Sequence, residues 1–292
     1  MVDIQMFKDK NNKKILFLGP KGSYTDAAKD KFIERYGFIG VEERPRQTII
    51  SILNELDNST DENLLAVIPI ENSIEGVVRE TLDNLTRLSD KSIKILSEEV
   101  FKISHCLITN AKSFEEIKVI SSYIQGIAQC RDFINKNFGE NVRINTADST
   151  AEAVQKLQNA PITNAAIASE KAAKIYSIPV LARDINDEKD NKTRFVLIGR
   201  NDTPRTQNDR TSITFSTENK PGALNKVLNI LEKYNINMSY IDSRPSKKFL
   251  GEYTFYIDFD GHVKDEKIAK ALFEILQHVK LFRHIGSYEK FL

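Results

Sequence analysis

A polar segment, residues 200–210, rich in Asn, Asp, Thr, Pro and Gln, separates two stretches of chain that follow different patterns. Before it, short apolar runs alternate with helical periodicity. Residues 14–18 predict a buried strand, Gly19-Pro20-Lys21-Gly22 a turn, and residues 24–35 a helix with Ala27, Ala28, Phe32 and Ile33 on one face. Further helices are expected at 47–56, 74–88, 127–138, 150–157 and 171–176, with a helical turn at 114–117. Strands are expected at 64–70, 118–121, 143–146 and 165–168, and extended chain at 93–108. This alternation predicts α/β layers with largely parallel strands. After the polar segment the order becomes strand 211–217, helix 221–234, strand 236–243, strand 251–259, helix 265–276 and strand 279–287. That βαββαβ order is ferredoxin-like. A chain of 292 residues therefore divides into a larger α/β unit and a smaller one, joined by a linker.

Charge removes several classes of function. The chain has 42 basic and 41 acidic residues and no long basic block, so nothing points to nucleic acid. Met1-Val2-Asp3-Ile4-Gln5-Met6-Phe7-Lys8 lacks the apolar core of a secretory signal, and no apolar run is long enough to span a bilayer. A cytoplasmic, non-membrane protein is expected. Cys106 and Cys130 lie in apolar contexts and suit reduced, buried thiols.

Hydroxyls and amides recur where strands are expected to give way to helices. Gly22-Ser23-Tyr24-Thr25, Glu71-Asn72-Ser73 and Asp148-Ser149-Thr150 each precede an expected helix. The first N–H groups of a helix have no intrahelical partner, so each such end can cap itself or hold an anion. Three in one unit favour a small substrate bearing carboxylates. A fourth candidate is Asp187-Glu188-Lys189-Asp190-Asn191, which runs into Thr193-Arg194-Phe195 and then Val196-Leu197-Ile198. Thr193, where loop becomes strand, is open to three readings: turn residue, substrate clamp or proton donor.

Other signals lead nowhere. In Gly19-Pro20-Lys21-Gly22-Ser23 the lysine precedes the second glycine, so this is not a phosphate loop. His105 and Cys106 are adjacent and point to opposite faces of an extended chain, which disfavours a dyad. His262, His278 and His284 lack metal spacing, and Asp184, Asp187 and Asp190 lack the glycine and final glutamate of a calcium loop. No metal and no cofactor are expected.

Taken in order, the motifs resemble those of the prephenate dehydratase family, from about Lys14 to Tyr288. Gly19-Pro20-Lys21-Gly22-Ser23-Tyr24-Thr25 is similar to its opening G-P-x-G-T/S-Y-S/T element. Ile68-Pro69-Ile70-Glu71-Asn72-Ser73, with Gly76, Thr81, Leu82 and Asp83, resembles its P-x-E-N-S element and the T-L-D that follows. Ser149-Thr150-Ala151, Ala165-Ala166-Ile167-Ala168-Ser169 and the N-x-T-R-F run Asn191-Lys192-Thr193-Arg194-Phe195 also match. The run Ser122-Tyr123-Ile124-Gln125-Gly126-Ile127-Ala128-Gln129-Cys130 departs from the family's S-H-P-Q-A-L-x-Q-C by putting Tyr and Ile in place of His and Pro. The tail resembles an ACT regulatory domain through Asn219-Lys220-Pro221-Gly222-Ala223-Leu224 and Asp242-Ser243-Arg244-Pro245, where aspartate replaces the usual glutamate.

The resemblance implies a two-lobed catalytic domain like the type-2 periplasmic binding proteins at 13–200, with one lobe about 13–100 plus 183–200 and the other about 101–182. It implies a linker at 201–210 and a ferredoxin-like ACT domain at 211–290. It implies decarboxylating dehydration of prephenate to phenylpyruvate, with Thr193 catalytic and Ser23, Tyr24, Thr25, Asn72, Ser73, Ser149, Thr150, Arg194 and Phe195 binding substrate. Arg194 is equally suited to a buried ion pair behind the site. Asn219, Pro221, Gly222, Ala223, Leu224, Asp242, Ser243, Arg244 and Pro245 would form an L-phenylalanine effector site at the interface of a homodimer or homotetramer. No room remains before residue 14 for the chorismate mutase domain of some relatives, so a monofunctional enzyme is expected. Arogenate dehydratase and a non-catalytic amino-acid sensor are the alternatives.

Overall fold

The computed structural model describes residues 6, 7, 9–245 and 253–291. The start of the expected 251–259 strand and most of the first eight residues lie outside that set. In chain order the elements are β1 (Lys14–Leu18), α1 (Tyr24–Tyr36), β2 (Glu42–Arg46), α2 (Ile49–Asn58), β3 (Leu64–Asn72), β4 (Gly76–Val77), α3 (Arg79–Leu85) and β5 (Lys94–Lys102). They continue with β6 (Cys106–Thr109), β7 (Val119–Ser122), α4 (Ile124–Ala128), α5 (Arg131–Phe138), β8 (Arg143–Thr146), α6 (Thr150–Lys156), β9 (Asn164–Ala168), α7 (Glu170–Tyr176) and β10 (Val180–Ala182). Then come β11 (Lys192–Gly199), β12 (Asp209–Ser216), α8 (Ala223–Lys233), β13 (Met238–Pro245), β14 (Tyr253–Asp260), α9 (Glu266–Leu276) and β15 (Leu281–Glu289).

These strands form three sheets. The first has the order β2-β1-β3-β11-β5, with β4 on β3; the second is β10-β6-β9-β7-β8; the third is β13-β14-β12-β15. The chain crosses between the first two sheets twice, after β5 and before β11. The first sheet thus holds residues from both ends of the larger unit.

The expectation of largely parallel strands needs correction, because both sheets are mixed. β1, β2 and β3 are parallel, but β11 runs antiparallel to both β3 and β5. β6 is antiparallel to β9 and β10, whereas β7 is parallel to β8 and β9. A strand that returns from the second lobe enters from the opposite end, and that fixes its direction.

Local corrections have local causes. β2 reads Glu-Glu-Arg-Pro-Arg, which has no apolar alternation, because it is an edge strand and an edge tolerates Pro45. The helix expected from residue 74 begins only at Arg79, since residues 72–77 turn back as a hairpin through Gly76 at φ 77°. The helix expected at 127–138 is two. Asp187 accepts from the N–H groups of Asp132 and Phe133 at 3.2 and 3.4 Å, which gives the second helix its own start.

Alternation along β11 decides what each residue meets. Phe195 and Leu197 pack with Phe17, Val67 and Phe32 beneath α1. Val196 and Ile198 face the other way, into a core shared by α2, α3 and the third-sheet residues Tyr256, Ile285 and Tyr288. The third sheet is covered by α8 and α9 on one face and packs its other face on the first sheet.

Candidate active site

A cleft of about 470 Å³ opens between the first two sheets. Three helix ends face it, though not the expected three. Ser23 caps α1, accepting from the Asp26 N–H at 3.1 Å and donating to the Leu18 carbonyl at 2.9 Å. Ser149 caps α6 by accepting from the Glu152 N–H at 3.0 Å. The third is Thr48, which caps α2 by accepting from the Ser51 N–H at 3.1 Å. Tyr24, Thr25 and Thr150 line the cleft beside their caps. Among the described residues no lysine or arginine lines it, whereas Glu75, Glu80 and Asp148 do, so attraction for an anion falls to unpaired backbone N–H groups and hydroxyls. An adjoining groove of about 630 Å³ shares Gly19, Gln47, Thr48, Asp148 and Ser149 with the cleft and carries Lys21 and Arg46.

Asn72 and Ser73 are not at a helix start. Asn72 ends β3 and turns its side chain inward. Its Oδ1 accepts from the N–H groups of Ile74 and Glu75, each at 2.9 Å. Its Nδ2 donates to Asn191 Oδ1 at 2.7 Å, Thr193 Oγ1 at 2.9 Å and the Lys192 carbonyl at 3.1 Å. An amide nitrogen has two protons and its oxygen two lone pairs, so these partners use the whole group. Asn72 lines the cleft but has no capacity left to hold a carboxylate. Ser73 does not line the cleft; its N–H donates to the Lys192 carbonyl at 2.8 Å and its Oγ accepts from the Lys192 N–H at 2.9 Å, clipping β3 to β11.

Thr193, Arg194 and Phe195 part company. The Thr193 hydroxyl lines the cleft, and Phe195 lies in its floor, edge-on to Phe101 with ring centroids 5.9 Å apart. Arg194 points away from the cleft, so its assignment to substrate is overturned and the ion-pair reading holds. Its guanidinium lies 3.0 Å from Glu71, 3.2 Å from Glu98 and 2.9 Å from Asp258 of the third sheet. Tyr288 adds a contact at 3.4 Å, and Arg210 shares Glu98 at 2.7 Å. Burial opposes the Arg194 charge, but Asp258, Tyr288, Tyr256 and Glu98 more than offset it and hold the group firmly protonated.

Thr48 and His105 lie outside the quoted motifs, and Gln125 and Gln129, inside the 122–130 run, had no assigned role; all four line the cleft. Gln125 presents a buried Oε1 with no hydrogen-bond partner. Thr48 was hidden inside an expected helix. His105, 2% exposed, reaches the cleft while Cys106 turns into the core below α6 and α7. Its ring lies between Tyr24 Oη and Gln129 Oε1, 3.1 Å from each, and Gln129 also accepts from Asn191 at 3.0 Å. Burial lowers the His105 pKa and raises that of Tyr24, so both are neutral at physiological pH. Cys106 and Cys130 are free and buried, and burial pushes the Cys130 thiol up to about 12. Tyr123, where His is usual, sits exposed at the cleft rim.

In the third sheet, Asn219, Pro221 and Gly222 are exposed before α8, while Ala223 is buried and Leu224 half-buried. Asp242 to Pro245 close the edge strand β13, and Arg244 lies 3.1 Å from Asp242 and 3.9 Å from Asp83 on α3. Both groups sit at one end of the sheet, where Ser216 and Arg244 each pair with Thr254.

The chain matches the prephenate dehydratase family over residues 15–203 and the ACT domain over residues 211–277. It is 37% identical over 279 residues to a bifunctional chorismate mutase/prephenate dehydratase from Aquifex aeolicus, covering 96% of this chain and 74% of that protein. A prephenate dehydratase from Methanocaldococcus jannaschii is 37% identical over 284 residues, covering 96% and 99%. The crystal structure of prephenate dehydratase from Arthrobacter aurescens in complex with L-Phe superposes with a TM-score of 0.85 at 31% identity, covering 95% of this chain and 90% of that one.

Proposed function

Because the chain belongs to the prephenate dehydratase family and carries an ACT domain, we propose that its cleft binds prephenate and that Thr193 protonates the leaving hydroxyl. The enzyme is a prephenate dehydratase of phenylalanine biosynthesis, which expels CO₂ and water to give phenylpyruvate. Aromatisation drives the reaction, and hydroxide is its poor leaving group. A neutral hydroxyl can donate to that oxygen, whereas as an unassisted base at neutral pH it is ineffective. General acid assistance contributes roughly 10²–10⁴-fold, and orientation and electrostatics supply the rest.

The observation that carries this reading is the position of Thr193 Oγ1, in a cleft faced by three capped helix N-termini and bonded within the protein to Asn72. Among the described residues no His or carboxylate is hydrogen-bonded to that oxygen, which suits a donor and not an activated nucleophile. Prephenate carries two carboxylates. Tyr24 and Thr25, on the helix that Ser23 caps, take them with Ser149 and Thr150 through backbone N–H groups and hydroxyls, and Gln125 supplies a further polar contact. Phe195 forms the apolar floor under the ring. Cleft closure excludes water.

L-Phenylalanine acts as feedback inhibitor at the ACT domain through Asn219 to Leu224 and Asp242 to Pro245, between subunits of a dimer or tetramer. That is a coupling free energy between two sites. Among the described residues no helix is long and apolar enough to cross a membrane, and the proposed compartment is the cytoplasm. The test is turnover of the purified chain on prephenate and on arogenate, with and without L-phenylalanine. Prephenate turnover that phenylalanine suppresses is expected. Preference for arogenate reassigns the substrate, and phenylalanine binding without turnover of either makes the chain a sensor.

A further inference from the structure

Behind Thr193 runs an unbroken line of polar side chains whose donors and acceptors can be assigned in turn from the Asn72 end. Asn72 Oδ1 faces the N–H groups of Ile74 and Glu75, both at 2.9 Å. Backbone N–H groups only donate, so the amide cannot be turned over and Nδ2 must face the other way. Nδ2 therefore donates one proton to Asn191 Oδ1 at 2.7 Å and directs the other to Thr193 Oγ1 at 2.9 Å, with the Lys192 carbonyl a longer acceptor at 3.1 Å. Asn191 is then obliged to offer Nδ2 to Gln129 Oε1, at 3.0 Å. Gln129 Oε1 in turn lies 3.1 Å from His105 Nε2. Two acceptors cannot face each other, so the imidazole proton sits on Nε2. His105 Nδ1, 3.1 Å from Tyr24 Oη, is left as a lone pair, and the single Tyr24 proton is shared between that nitrogen and the Ser104 carbonyl, 2.6 Å away.

We propose that Asn72, Asn191, Gln129 and His105 form one hydrogen-bond chain of fixed polarity that positions Thr193 as a donor. Its oxygen receives a hydrogen bond from Asn72, and its own proton is directed into the cleft. This rests on the reading of Thr193 as proton donor, and the four residues act through it without touching the reacting atoms. The C–O bond of the substrate breaks with its electron pair on oxygen. The C–C bond to the ring carboxylate breaks to release CO₂, and its pair completes the aromatic ring. The Thr193 proton moves to the departing oxygen to make water, and solvent returns a proton to Thr193. Gln129 follows α4 beside the second sheet, whereas Asn72 and Thr193 belong to the first, so the chain also spans the two lobes.

Asn72→Asp tests the polarity. Aspartate keeps both backbone amide bonds but turns an acceptor toward Thr193 and Asn191. Thr193 must then spend its proton inward, the Asn191 and Gln129 amides invert, and the His105 proton moves to Nδ1. Two readouts follow. The kcat falls at least about 100-fold, and the Asn72→Asp/Thr193→Ala double variant is no slower than Thr193→Ala, because both remove the same proton. Imidazole ¹⁵N NMR, with the signal assigned by its loss in His105→Gln, changes from the Nε2–H to the Nδ1–H tautomer. An Nδ1–H tautomer in the unmodified enzyme overturns the chain while leaving the role of Thr193 intact. So does an unchanged tautomer, or a kcat within threefold, in Asn72→Asp. Full turnover by Thr193→Ala overturns both readings. If Asn72→Asp does not fold, Gln129→Glu serves: it still accepts from both neighbours, so at pH 8 Nε2–H and a kcat within tenfold are expected, and a switch to Nδ1–H contradicts the chain.

Discussion

Thr193 and Arg194 are chain neighbours, yet the two faces of β11 place them in opposite chemical regimes. On the cleft face Thr193 meets neutral amides, Asn72 and beyond it Asn191 and Gln129. On the other face Arg194 is enclosed by Glu71, Glu98, Asp258 and Tyr288, two of them from the third sheet. Neutral amides hold a hydroxyl without competing for its proton. A buried guanidinium among carboxylates instead fixes the position of whatever carries them, here the sheet of the ACT domain. The T-R-F element is thus two devices on one strand, one for chemistry and one for assembly. Breaking the first should change kcat and leave stability nearly intact, and breaking the second should do the reverse.

The largest stability effect is expected from Arg194→Met, which leaves three carboxylates facing one another with only Arg210 on Glu98. Losing one partner of a buried ion cluster costs about 3–5 kcal/mol, read as a lower denaturation midpoint. A smaller cost would show that water enters this face and would weaken the contrast. Acid should then act on the same side of the molecule. Burial, with Lys94 and His262 adding to it, pushes His284 on β15 down from 6.5 to about 4. Between those values the unfolded chain binds the extra proton, so this stability is present above pH 6.5 and is lost as pH falls through 4. The loss is roughly 3–4 kcal/mol at most. His284→Gln should flatten that slope in Tm against pH without altering kcat.

Gly22→Ala probes the lobe contact beside the cleft. Gly22 has φ +87°, and an added Cβ would lie 3.0 Å from Ala172 Cα across the lobes. Overpacking of this kind costs about 1–3 kcal/mol, and kcat/KM should fall with it because the α1 cap moves. The smallest effect is expected from Ser149→Ala, which removes a cap contributing about 1 kcal/mol and should raise KM more than it lowers kcat. Urea titration and initial rates check both.

The fold was legible where local chemistry agreed with the final environment. Residues 15–18 of β1 are apolar and lie in an interior strand, and Ser23 caps the helix it precedes. Glu42–Arg46 was not legible, because an edge strand needs no apolar alternation. Asn72-Ser73 imitates a helix start, since the residues that cap helices also make turns; the bonds that distinguish them reach Asn191, 119 residues away. Arg194 was left undecided for the same reason, its partners Glu98 and Asp258 being remote in sequence. Motif order located the cleft, but only the pairing of β11 shows which side of the strand each residue serves.

The most direct test of the two-face account measures kcat and Tm together in Thr193→Ala, Thr193→Ser and Asp258→Asn. Thr193→Ala should lose about 10²–10⁴-fold in kcat with Tm nearly unchanged, and Thr193→Ser should keep much of the rate. Asp258→Asn should lower Tm by several degrees and leave kcat within a few-fold. A Thr193→Ala enzyme with undiminished kcat, or an Asp258→Asn enzyme of unchanged Tm, would contradict the account.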